Sequence, residues 1–364
     1  MIEHVDWGLA KAVQDKIDNL SKPKGSLGRL EELALQVALV QQTLTPQLIH
    51  PCHILFGGDH GIEHEGVTCT PREVTAQQMM NYGRGGGAVG MFCRQHQVAL
   101  RVVDVGVDAW FDPMAHPNII HRKIARGTKN FLYEPAMSAG EWEEALRVGA
   151  EMVDRVGEEG CNILSLGEMG AGNTSPSSVL MHLLQGFPLA ECVGAGSGLG
   201  EEGVRHKLDV LAAAVENYRR SRERAASSSR STLSPAHPPV SREETEELVR
   251  YFAGFEMAAA IGAMLRAAER RMVVLVDGFI MTACMLAASR LDEAVTDYAV
   301  FTHQGDEGGH KRMLAAMGAK PLLNLGLRLG EGTGALCAFP LVDSAVRMLN
   351  DMDNFENAHI TKYF

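Results

Sequence analysis

Six short apolar runs, each broken off by a turn rich in glycine and polar residues, constrain what this chain can fold into. They are HILFGGDHG (53–61), LRVVDVGVD (100–108), CNILSLGEMGAGNT (161–174), ECVGAGSGLGEEG (191–203), VVLVDGF (273–279) and DYAVFTHQGDE (297–307). Between most of them lie helical patterns such as AGFEMAAAIGAMLRAAERR (253–271) and IMTACMLAASRL (280–291). Buried strands that alternate with helices imply a parallel sheet covered on both faces. In such sheets ligands bind beyond the carboxyl ends of the strands. All six runs carry their Gly, Asp, His, Glu or Asn residues at that end. One glycine turn does no more than end a strand; six together describe the rim of an active site.

The two ends of the chain differ from this middle. Residues 1–48 read as mainly helical, with a turn at SKPKGSLGRLEELA (21–34), and residues 320–364 include the helical pattern ALCAFPLVDSAVRMLNDM. At 364 residues the chain exceeds one compact domain. The expected architecture is α/β: a parallel Rossmann-like sheet flanked by helices in a large domain over 49–319, beside a small helical domain built from 1–48 plus 320–364. Residues 225–241, AASSSRSTLSPAHPPVS, are too polar and Pro-rich to fold alone and read as a mobile surface excursion.

Charge narrows the partners. The formal net charge of -11 leaves no basic face for nucleic acid, though a local pocket for one phosphate is compatible with it. The seven cysteines are scattered, odd in number and without a CxxC pair, which fits a reducing cytoplasm better than a disulfide framework or a zinc site. The first helix is charged throughout, unlike a signal peptide, and no apolar run reaches membrane-spanning length.

Several motifs carry chemistry. GEMGAGNTS (167–175) follows a strand and precedes a helical pattern, so its backbone N–H groups suit an anion. It lacks the GK[ST] of a Walker A loop. GAGSGLG (194–200) does not have the G-x-G-x-x-G spacing of a dinucleotide fingerprint. Lys207 follows that loop closely enough to reach a phosphate, although a solvated helix lysine is the commoner fate. His60 and His64 stand four apart, but Gly61 and Gly66 argue against one continuous helix, so bracing a turn is the better reading of His60 than metal binding. LGLRLGEGTGA (325–335) sets one acid, Glu331, between two glycines after a leucine run. Clustered glycines there signal a tight bend or a close approach to a ligand.

These pieces occur in a recognisable order. KPKGSLGRLEELA (22–34), GDHGIEHEGV (58–67), VTAQQMMNYGRGGGAV (74–89), GEMGAGNTS, GFEMAAAIGAML (254–265), VLVDGF (274–279) and LRLGEGTGA (327–335) together closely resemble the nicotinate-nucleotide:dimethylbenzimidazole phosphoribosyltransferases. These enzymes make the lower-ligand nucleotide of cobalamin. The resemblance runs from about residue 10 to residue 358. It implies a large α/β domain, a small domain from both chain ends, and a homodimer whose subunits complete each other's sites; a heterodimer with a paralogue is the alternative.

The implied reaction transfers 5-phosphoribose from nicotinate mononucleotide to an aromatic base, with no metal and no cofactor. Glu331 matches the general base, and apolar surroundings would raise its pKa into a useful range. Glu168 is the candidate for stabilising an oxocarbenium-like transition state. Gly170, Gly172, Asn173 and Lys207 match the phosphate-binding region, and Thr70, Gln78 and Leu329 match the aromatic-base pocket. The family's S-H-x-S-A-E-x-G stretch reads THQGDEGG (302–309), so a serine hydroxyl near the nucleotide is missing at Gly305. The glycine loop at 194–200 is altered too, and the insertion at 225–241 is unusual. The leading acceptor is 5,6-dimethylbenzimidazole. The competing readings are a relative that phosphoribosylates phenol or p-cresol, and a non-catalytic subunit that completes an active partner.

Overall fold

The structure is a computed structural model that describes residues 2–228 and 240–364. Helices α1 (Ala10–Asp18) and α2 (Arg29–Gln41) open the chain. α1 turns Val13 and Ile17, four apart, to one buried face. The first strand, β1 (Cys52–Gly58), is buried at every residue, as a central parallel strand must be. Then come α3 (Glu73–Gly83), α4 (Gly87–His96), β2 (Ala99–Gly106) and the short β3 (Ile119–His121). α5 (Ala139–Glu158) begins at a capping box: Ser138 Oγ accepts from Glu141 N, and the Glu141 carboxylate accepts from Ser138 N.

β4 (Ile163–Met169) leads through the GAGN turn into α6 (Thr174–Gln185). The one-turn α7 (Leu189–Cys192), the long α8 (Glu201–Ser228), α9 (Arg242–Phe252) and α10 (Phe255–Glu269) follow. The chain ends with β5 (Val273–Val276), α11 (Phe279–Leu291), β6 (Ala299–Phe301), α12 (His310–Ala316) and α13 (Thr333–Asp351). α10 and α11 are apolar nearly all round and lie in the core. α10 packs on α5, α11 and the central strands, while α13 packs on α2, α4, β4 and β5. Among the described residues, no helix is long and apolar enough to cross a membrane.

The six strands form one all-parallel sheet in the order β3-β2-β1-β4-β5-β6, the doubly wound order of Rossmann-like folds. Cys52 pairs with Ala99 on one side and with Leu164 on the other, fixing the register of the three central strands.

Two expectations change. The run at 191–203 is not a strand. Only Cys192 and Val193 are apolar before the glycines begin, and the segment closes α7 and then loops into α8. The sixth strand is β3, a three-residue edge strand paired to Val102–Asp104. The expected surface segment 225–241 also shifts: its first four residues continue α8 to Ser228, and 229–239 lie outside the described residues.

Candidate active site

A cleft of about 330 Å³ opens over the carboxyl ends of β4, β5 and β6. It is roofed by residues 327–331 and bounded on the far side by the 68–78 segment. The strand order reverses between β1 and β4, so the cleft lies beside the topological switch point rather than across it. Four carboxylates line it, Glu168, Asp277, Glu307 and Glu331. The basic groups on its wall are Arg328 and, when protonated, His303.

Glu331 sits in the loop that enters α13. Its φ is +63°, and its neighbours Gly330 and Gly332 both have φ of +81°. Three successive residues in the left-handed region are tolerable only because two are glycines. A Cβ at Gly330 would lie 2.6 Å from Glu168 Oε1, and one at Gly332 would run into the His53 ring. The glycines therefore admit Glu168 and His53 beneath the loop, and the bend turns the Glu331 side chain to the cleft. Glu331 is buried, and burial pushes its pKa above the ordinary carboxylate value; a hydrogen bond from Tyr82 Oη at 2.5 Å opposes that rise.

Asp277, at the end of β5, anchors the same loop. Its two oxygens accept from Gly332 N (3.1 Å) and Ala335 N (2.9 Å), which holds the first turn of α13. His53, from β1, lies below. Its Nδ1 pairs with Ser165 Oγ at 2.7 Å, and burial pushes its pKa down to about 4, so it is neutral.

Glu168 comes from β4. Its Oε1 accepts from Glu331 N at 3.3 Å, and Asn173 Nδ2 donates to Oε2. Burial is the main reason that its pKa lies well above the carboxylate range; Glu256 and Asp277 push the same way, against these two hydrogen bonds. Gly170, Gly172 and Asn173 line the cleft where β4 turns into α6, with Thr174 as the first helical residue. Lys207 does not reach the wall. Its side chain is fully buried behind it, and Nζ donates to Thr174 Oγ1 (2.7 Å) and Gly194 O (3.3 Å). Burial pushes its pKa down to about 8. Lys207, expected at the phosphate-binding region, is thus a buried strut behind the turn into α6, and not the solvated helix lysine of the bland alternative.

Thr70, Gln78 and Leu329 all line the cleft. Thr70 Oγ1 lies 2.6 Å from Ser197 Oγ, which ties the 68–78 segment to the glycine loop. Gln78 accepts from Asn81 Nδ2 at 3.1 Å. Leu329 is 58% exposed although it faces the cleft. Gly305 lines it too; its N–H donates to His310 Nδ1 at 2.9 Å, and a side chain there would crowd Leu327 O and the His310 ring.

The two histidines of the 60–64 turn do not converge. His60 Nε2 is 2.6 Å from Glu256 Oε1 in the interior, whereas His64 Nε2 is 3.3 Å from an Arg72 nitrogen at the surface. Among the described residues, no group of three His, Cys, Asp or Glu side chains is placed to hold a metal ion.

Sequence reasoning missed Tyr82, Arg328, Asp277 and His303. Asp277 had a signal, an acid directly after an apolar strand; Tyr82 had none, because its partner is 249 residues further on.

Comparison with known proteins adds an independent line. Residues 2–360 match the family model described as phosphoribosyltransferase. The chain is similar to the nicotinate-nucleotide–dimethylbenzimidazole phosphoribosyltransferase of Phocaeicola vulgatus, at 54% identity over 100% of this chain and 99% of that protein. It resembles the protein of the same name from Dechloromonas aromatica at 45%, over 98% and 97% of the two chains. Its fold superimposes on the crystal structure of CobT from Thermus thermophilus with a TM-score of 0.87 and 35% identity, over 98% and 99% of the two chains.

Proposed function

The chain belongs to the phosphoribosyltransferase family, and on that premise we propose that it transfers 5-phosphoribose from nicotinate mononucleotide to 5,6-dimethylbenzimidazole. The product is α-ribazole phosphate, the lower-ligand nucleotide of cobalamin. The observation that carries this reading is the buried Glu331 carboxylate, turned by a left-handed glycine-flanked bend into a cleft walled by four acids.

Nicotinate mononucleotide carries a pyridinium on C1′. When that bond breaks, its electron pair stays on the ring nitrogen and nicotinate leaves neutral at that atom. The acceptor's unprotonated nitrogen attacks C1′ from the opposite face, which inverts the sugar. Its other nitrogen loses a proton, and Glu331 takes it. An acidic cleft suits this chemistry because the reacting end of the substrate is cationic throughout. Burial favours neutral Glu168 in the free protein; the pyridinium and the developing oxocarbenium charge draw it toward the carboxylate.

The 5′-phosphate is assigned to the N-terminus of α6. Gly170, Gly172 and Asn173 shape that turn, Lys207 supports it through Thr174, and Arg328 on the roof of the cleft supplies charge. Thr70, Gln78 and Leu329 are assigned to the acceptor. The exposure of Leu329 within a binding wall supports a homodimer in which a second copy covers the cleft mouth. The helical ends, 1–48 and 320–364, are proposed as the small domain: α2 packs on α13, and Ser21 N bonds Asp353 O at 2.8 Å. The cytoplasm is the proposed location, in keeping with seven free thiols.

The test is direct. Pure protein is incubated with nicotinate mononucleotide and a mixture of azoles and phenols, and product masses are read. The α-ribotide of dimethylbenzimidazole is expected as the main product. A phenolic O-riboside in its place would move the protein to the phenol-accepting reading. No product without a second subunit would make it a non-catalytic partner.

A further inference from the structure

We propose that Tyr82 is the positioning residue for Glu331: its hydroxyl binds one carboxylate oxygen and leaves the other to face the acceptor. The inference rests on Glu331 acting as the base. Tyr82 lies in the last turn of α3, and its Oη lies 2.5 Å from Glu331 Oε1. An ionised carboxylate only accepts, so the phenol must be the donor. Among the described residues, no other side chain donates to Glu331, and none occupies Oε2. The proton taken from the acceptor therefore arrives on Oε2, because Oε1 already holds the phenol hydrogen.

Tyr82 is 1% exposed and does not line the cleft, so it acts through Glu331 rather than on substrate. Its ring is seated by the glycine cluster RGGGAV (84–89), which substrate binding leaves unexplained. Gly87 has φ of +68°, and a Cβ there would lie 2.8 Å from Tyr82 Cε1. The turn between α3 and α4 thus lets the phenol ring lie under the Glu331 loop with its hydroxyl at the carboxylate.

The groups facing Glu331 are Glu168 from β4, Asp277 after β5, His53 from β1 and Tyr82 from α3, with His303 after β6 packed against Gly334 in the first turn of α13. Burial and the Asp277 charge favour the protonated acid; the Tyr82 bond favours the carboxylate. Without Tyr82 the base needs a higher pH to ionise.

The experiment measures kcat against pH, at saturating nicotinate mononucleotide and dimethylbenzimidazole, for wild type, Tyr82→Phe and Glu331→Gln. In Tyr82→Phe the acidic limb is expected to move up by about one pH unit, so kcat below the limb falls about tenfold while the alkaline plateau stays within about threefold. The thermal midpoint serves as a folding control. A limb that stays in place overturns the proposal, as does a uniform loss of turnover with a lowered midpoint. If Tyr82→Phe turns over too slowly to profile, the infrared carboxyl band assigned by subtraction of Glu331→Gln gives the titration midpoint without turnover; an unshifted midpoint overturns the proposal too. Glu331→Gln separates the two levels. Wild-type turnover with the limb intact in that variant removes Glu331 as base and the inference with it, whereas a silent Glu331→Gln beside an unshifted Tyr82→Phe limb removes Tyr82 alone.

Discussion

A glutamate at φ +63° carries a backbone strain of about 1–2 kcal/mol, and a loop that holds it there uses the side chain for something. Glu331→Gln keeps the shape of the side chain and an oxygen for the Tyr82 phenol, so the fold should persist. Turnover at saturating substrates is expected to fall by ~10²–10⁴, the range of a general base; steady-state kinetics at the plateau pH checks this, and wild-type kcat would exclude the role. Lys207 makes a different kind of claim. Two of its three N–H groups are taken by Thr174 and Gly194, and it holds the α6 turn from behind. Lys207→Met is expected to weaken nicotinate mononucleotide about 10- to 100-fold through the lost charge-assisted contacts, with dimethylbenzimidazole binding nearly unchanged. Calorimetric titration of each ligand decides it, and equal losses for both would point to general misfolding. At this scale the sequence was legible where chemistry is local: an acid between glycines announces itself. It was silent on Tyr82 and on the burial of Lys207, because partners far apart in sequence and complete burial leave no mark on a short motif.

The elements converge on one edge of the sheet, and the joint between β5 and α13 carries Glu331, the proposed base. Asp277 reaches from the strand end to satisfy two N–H groups at the start of the helix, a cap supplied by another element. Asp277→Ala leaves both buried donors without a partner. It should lower unfolding stability by about 1–3 kcal/mol and loosen the 330–332 bend, with kcat falling more than the affinity for either substrate. Asp277→Asn keeps one acceptor and should lie between. Urea unfolding read beside kcat tests this; a stable Asp277→Ala protein with full turnover would mean that the loop holds itself. The strands at 53, 100, 161, 273 and 297 were legible because parallel strands buried on both faces must be apolar throughout. The run at 191 was misread because glycines after two apolar residues imitate a strand end. β3 escaped because three residues at a sheet edge need little pattern to pair.

Across the whole molecule, buried titratable groups pull stability in opposite directions with pH. His310 is buried, and burial, with His303 nearby, pushes its pKa down to about 3, so the ring is neutral; its Nδ1 accepts the Gly305 N–H and its Nε2 lies 3.0 Å from Thr282 Oγ1. Burial likewise pushes His53 down to about 4. The unfolded chain binds a proton at each of them near pH 6.5, whereas the folded chain does not. Their contribution is therefore complete above about pH 6.5 and drains as the pH falls toward 3–4. Glu168 and Glu331 have folded values raised by burial, so they act with the opposite sign: they weaken the fold above their folded values, and that cost is relieved as the pH falls toward their unfolded values. A bulk pH profile mixes the two, but a difference between variants separates them. His310→Gln is expected to be less stable than wild type at pH 7. The gap should shrink by about 1.4 kcal/mol per pH unit between pH 6 and pH 4, the slope of one proton bound only by the unfolded chain. Urea midpoints at half-unit steps give that difference. A gap that stays constant across the range would mean that His310 binds its proton equally in both states, and that burial does not hold the ring neutral.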